Sequence, residues 1–213
     1  MQNPFAVPAG AGPLRVTPTP DDGTRLTDRS PWDESARPRG PLPEQGRTYS
    51  PAEQAGGQHL VDVHDHLRAE LRQVRDVVAQ VAAGELSIGE ARDHVQATTL
   101  RQNRWALGAY CASYCRILTG HHTLEDDAML PHLRASDPRL APVVDRLHEE
   151  HVAIHHVLEE VDRVLVACVA GEVGIAAVQE AVDVLTDALL SHLAYEEREL
   201  VEPLARLGMF PSG

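Results

Sequence analysis

The chain contains no lysine; its 19 basic residues are all arginine and face 32 acidic ones, for a formal net charge of −13. No basic run interrupts that surplus. A positive footprint for nucleic acid or an anionic membrane surface is therefore excluded, and metal or small-molecule chemistry fits better. Long apolar runs are missing too. No window approaches the roughly eighteen residues that a spanning helix needs, and the first thirty residues hold no basic start followed by an apolar stretch. A soluble, cytoplasmic protein is expected. Cysteine is scarce: Cys111, Cys115 and Cys168 are an odd number with no CxxC spacing, which speaks against a disulfide framework and a dithiol redox site.

Proline is nearly absent after residue 57, because ten of the fifteen fall before it. Residues 1–57 combine those prolines with glycine and scattered charge, a composition that cannot bury enough apolar surface to offset chain entropy. They are expected to form a disordered tail, with the folded domain spanning residues 58–213.

What the domain has is apolar periodicity. Leu60, His64, Leu67, Leu71, Val74, Val78 and Val81 are spaced three and four apart, and Gly84 ends the run. After a short helix opened by a Ser87 to Glu90 capping box, a second seam carries Leu107, Cys111, Tyr114, Leu118, His121, Glu125 and Ala128, limited by Pro131. Pro142 opens a third, with Val144, Leu147, His151, Ile154, Leu158, Val161, Leu165 and Cys168. The fourth holds Val178, Val182, Leu185, Leu189, His192 and Glu196 before Pro203. The spacing and short connections predict an all-α, up-down-up-down antiparallel four-helix bundle.

Histidine is the outlier: there are 12, all after residue 58. Every seam is interrupted by histidine, and two also carry glutamate, at positions that should face the core. A single inward histidine is usually a hydrogen-bonded core residue, and buried charge without a partner is costly; four helices doing this at one level call for a common cause. At 1.5 Å per residue, His64, His121, Glu125, His151, His155, His192 and Glu196 all fall within about 20 Å of one end of the bundle. The pairs His121 with Glu125, His151 with His155 and His192 with Glu196 are four apart, so each projects from one helix face. Seven imidazole and carboxylate donors without thiolate suit iron, manganese or zinc, and exceed what one tetrahedral zinc takes. Two metal ions are favoured. His66 and His122 fall off the seam and are assigned no metal; Glu197 is the alternative to Glu196 if the fourth helix bends.

The strings HDHLRAEL, GHHTLEDDAMLPHL, LHEEHVAIHH and SHLAYEEREL resemble the hemerythrin-like, or HHE cation-binding, domains over about residues 58–208. The resemblance implies a non-haem di-iron centre with an oxo or hydroxo bridge. In it Glu125 and Glu196 bridge, His151, His155 and His192 hold one iron, and His64 and His121 hold the other. That donor count leaves the second iron with an open position, where a small diatomic or peroxide ligand would bind. The function implied is binding or sensing of oxygen, nitric oxide or a related molecule, with peroxide decomposition as the alternative. Oxygen-carrying members place an aspartate five residues after the last histidine. Here a glutamate stands four residues on, which weighs against reversible oxygen carriage.

Overall fold

The computed structural model describes residues 10–83 and 106–211, with side chains from residue 113 onward in the second stretch. The expected helix end at Gly84, the Ser87 to Glu90 capping box and the side chains of Leu107 and Cys111 lie outside the described residues. Among those described, the architecture is helical and no strand forms beyond one isolated bridge between Gly12 and Tyr49. Helix α1 spans Pro51–Ala82, α2 Ala106–Leu124, α3 Leu130–Ser136, α4 Ala141–Val169 and α5 Ile175–Leu207. A single π-helical turn, Glu125–Met129, joins α2 to α3, so the two form one interrupted rod. None of the described helices is long and apolar enough to cross a membrane.

The seams pack as their spacing dictates. Leu67, Leu71, Val74 and Val78 of α1, Tyr114 and Leu118 of α2, Ile154, Leu158, Val161 and Leu165 of α4, and Val178, Val182, Leu185 and Leu189 of α5 form one buried cluster. A second cluster, including Leu60, Met129, Leu130, Leu133, Leu147 and Leu200, closes the opposite end. The histidines lie between the two. Gly57 sets the spacing of α1 and α5, because a Cβ there would stand 2.8 Å from the Val201 carbonyl oxygen.

Two proline signals act otherwise than expected. Pro131 does not end the second helix; it is an early residue of α3, where a missing N–H costs little. The π turn just before it moves the buried face by one position, so Met129 and Leu130 are buried whereas Ala128 is only partly so. Pro203 lies inside α5, which runs on to Leu207.

The largest departure is the N-terminal segment. The boundary expected at residue 58 falls inside α1, which starts at Pro51 behind a full capping box of Ser50 and Glu53. Residues 10–50 are laid over the bundle rather than forming a disordered tail. The Asp187 carboxylate accepts from the backbone N–H groups of Leu26 and Thr27 at 2.8–3.0 Å, Glu199 accepts from Gly40 N–H at 2.7 Å, and Tyr49 Oη donates to Glu202 at 2.7 Å. Tyr195 Oη donates to the Pro38 carbonyl at 2.9 Å. Composition misleads here because the segment builds no core of its own. It is ordered by polar groups of α5 and by Glu150 of α4, which the sequence sets over 100 residues away, and by apolar contact of Val16 with Val61 and Val201.

Candidate metal centre

The four long helices and the π turn contribute to one buried layer. From α1 comes His64, from α2 His121 and His122, from the π turn Glu125, from α4 His151, and from α5 His192 and Glu196. The donor atoms form two groups, each with all members within 4.8 Å of one another: His64, His121, Glu125 and Glu196 in one, and His122, His151 and His192 in the other.

The first group is tight. His64 Nε2 lies 3.2 Å from His121 Nε2 and 3.5 Å from Glu196 Oε2, and His121 Nε2 lies 3.2 Å from Glu125 Oε1. Neighbouring donors on one ion with bonds of about 2.1 Å at right angles stand roughly 3 Å apart, so these separations fit a common ion. In the second group the His122 and His151 rings stack at 4.1 Å, and His192 meets His151 edge-on at 4.9 Å. The two glutamates face both groups. Glu125 presents Oε1 to His121 and Oε2 to His151 at 3.7 Å; Glu196 Oε2 is 3.6 Å from His192 Nε2 as well as 3.5 Å from His64.

Ring orientation is set from outside the layer. His64 Nδ1 lies 2.9 Å from Glu197, His151 Nδ1 2.8 Å from Asp126 and His192 Nδ1 3.1 Å from Glu150. An ionised carboxylate only accepts, so each Nδ1 carries the proton and each Nε2 turns a lone pair inward. Such outward carboxylates fix the tautomer and raise the basicity of metal-ligating histidine. His64 Nε2 meets only His121, and the two glutamates meet each other; His122 Nε2, His151 Nε2, His192 Nε2, Glu125 Oε2 and both Glu196 oxygens are buried without a donor to satisfy them or an acceptor to receive them. Each such atom costs about 1–3 kcal/mol. Six together are comparable to the whole net stability of a domain, about 5–15 kcal/mol. One cation in each of the two groups would resolve all six.

The electrostatics of the protein alone agree. Burial pushes His121 down to about 2 and His192 to about 4, and lowers His64 and His122. Burial, then the neighbouring Glu197 charge, raises Glu196 to about 8; burial and Glu196 raise Glu125 well above the carboxylate range. By contrast, Glu150 is held at about 2, because hydrogen bonds from His192 and Arg37 outweigh the effect of its burial. Neutral imidazoles around carboxylates that resist ionising form a site short of positive charge, and a bound metal ion inverts that logic.

The hemerythrin HHE cation binding domain matches residues 55–204 of this chain. The chain belongs to the hemerythrin HHE cation-binding family. No curated protein and no solved structure matches it.

Six of the seven expected donors meet in this hemerythrin-like layer, and one does not. His155 points away from it, with 56% of its side chain exposed and its Nε2 3.5 Å from Glu159. On α4 the core side runs through Leu147, Glu150 and Ile154, so a residue one turn beyond His151 emerges on the outer face. His122, expected off the seam, stands with His151 and His192 in the second group instead. Successive helix residues diverge by about 100°, and α2 is flanked on two sides. His121 therefore faces α1 while His122 faces α4. Glu196 lies in the first group, and Glu197 stands not in its place but behind His64, 2.9 Å from its Nδ1. The anchors Asp126 and Glu150 carry no signal in the spacing because they lie beside the seam.

Proposed function

We propose that this hemerythrin-like chain holds two non-haem iron ions and takes up a small ligand there, oxygen or nitric oxide, as a binding or sensing protein. His64 and His121 would hold one ion, and His122, His151 and His192 the other. Glu125 and Glu196 would lie between them. The single observation that carries this reading is the set of inward-facing donors, six of their atoms without partners, in two groups where the glutamates of the first reach toward the histidines of the second. Nitrogen and carboxylate donors with no thiolate favour iron over the softer metals, and the pair would supply a redox-active centre with room for an added ligand. The up-down-up-down order belongs to the same reading. It is supported by paired positions: His64 with His121 and Leu67 with Tyr114, His122 with His151, Glu150 with His192, and Arg75 with Asp183 against His64 with Glu197.

A cavity of about 270 Å³ reaches the first group from outside, lined by Leu60, Val63, Leu124, Met129 and Phe210 around His121 and Glu125. Its apolar wall suits an uncharged diatomic molecule, and it opens on the ion with fewer histidines. Elemental analysis of protein produced with iron is expected to give about two irons per chain. Azide should add a charge-transfer band to the oxidised form. One zinc per chain with negligible iron would sink the di-iron reading; sustained oxygen release from added peroxide would move the assignment to a peroxide-decomposing enzyme.

A further inference from the structure

The carboxylates behind the histidines are themselves held, and two of them by the N-terminal segment. Arg37 grips Glu150 with both ends of its guanidinium: Nε donates to Oε1 at 2.8 Å and Nη2 to Oε2 at 2.8 Å. That second oxygen is the one facing His192 Nδ1 at 3.1 Å. Arg37 Nη1 also donates to Ser191 Oγ at 2.8 Å, and its guanidinium lies 5.5 Å from the Trp32 ring and 4.7 Å from the Tyr195 ring. Both Arg37 and Glu150 are almost fully buried. On the other half of the centre, Thr19 N–H donates to Glu197 Oε2 at 2.7 Å, while the other oxygen of Glu197 serves His64 and Arg68.

We propose that Arg37 is a positioning residue for the metal centre, carried on an N-terminal strap: by clamping Glu150 it fixes the His192 ring and so the geometry of the three-histidine half. Three features separate this from ordinary packing. The grip is bidentate and charge-assisted, the kind of contact that transmits orientation as well as energy. Arg146 Nε also donates to Glu150 Oε1 at 2.8 Å, but it does not reach the oxygen that faces His192. The strap's contact with the other half is one backbone N–H on a carboxylate that Arg68 already neutralises. Losing the strap's grip therefore acts unequally on the two ions.

The inference rests on the di-iron reading above, and the test separates the two. Full-length protein loaded with ferrous iron is mixed with excess bipyridine, and iron release and the visible spectrum of the oxidised form are followed. Loss of an outer partner of a metal-ligating histidine typically costs 10–100-fold in affinity. In Arg37→Gln, release should become biphasic, with about one iron per chain leaving roughly 10–100-fold faster and the spectrum shifted. Arg37→Lys should fall between the two, since it keeps the charge but loses the fork. Tyr49→Phe loosens the strap at Glu202, away from the centre, and should leave release and spectrum as in the wild type.

Release and spectrum unchanged in Arg37→Gln, or both irons accelerated alike in it and in Tyr49→Phe, would overturn the proposal. If Arg37→Gln does not fold, Arg37→Lys decides by the same two readouts. A wild-type chain that takes up no iron pair sinks the metal reading itself, and this inference with it.

Discussion

The two halves of the metal layer are built from the same residue types but differ in their surroundings. The half with His122, His151 and His192 is sealed: the strap crosses it, Trp32 meets the His192 ring edge-on at 6.5 Å, and its histidine anchors are gripped by arginine or by the π turn. The half with His64 and His121 adjoins the cavity, and His121 is its one partly exposed ring. Rigidity is placed where ligands outnumber openings, and access where they do not. On the proposed function, a centre that would hold two ions and still admit a third species benefits from that asymmetry, because an open position is useful only if the rest of the site does not rearrange to fill it.

The strongest way to break the comparison is to remove the metal. With six buried polar atoms left without partners, the metal-free protein should lose at least about 6 kcal/mol, lowering Tm by about 12–24 °C. Amide exchange should rise most around residues 147–155 and 188–197, since the sealed half cannot admit water as the open one can. Uniform exchange would show that the two halves do not differ as described.

Next in size is the contrast between two histidines. His122→Ala should release the metal of the sealed half, with iron per chain falling toward one and affinity dropping at least 10-fold, whereas His155→Ala should leave both unchanged. The reverse outcome would restore His155 as a donor and require α4 to be rotated.

A smaller effect sharpens the open side. Val63→Phe extends a side chain into the cavity and should weaken azide binding to the oxidised protein about 10-fold, an effect of about 1.4 kcal/mol. An equal enlargement at Val157, which lines a separate cavity between α4 and α5, should not. Smallest of all is Gly57→Ala, which pushes α1 from the Val201 carbonyl. It should cost about 1 kcal/mol in urea unfolding and broaden spectral features of the open half, whose His64 rides on α1, before those of the sealed half.

Much of this molecule was legible in one dimension. Helix seams are a local property of spacing, so Leu67, Leu158 and Leu189 went to the core as expected. Six residues of the layer could be named because a polar residue on an apolar seam is costly to bury unless something binds it. Where the expectation failed, the missing information was angular or distant. Whether His122 or His155 enters the layer turns on a rotation that depends on which neighbours flank α2 and α4, and the π turn after Leu124 shifts the phase again without a sequence mark.

Composition and periodicity by themselves determined a helical chain with a layer of imidazole and carboxylate at one level, because hydrophobic spacing and the cost of burying charge act residue by residue. Only the tertiary structure decided that the proline-rich segment is a strap and not a tail. Its order comes from Asp187, Glu150, Glu197 and Glu202, acceptors that folding alone brings within reach. The same holds for the direction in which each histidine points: the outward carboxylate that fixes His192 sits on a different helix, and the arginine that fixes that carboxylate sits on a third element 113 residues away.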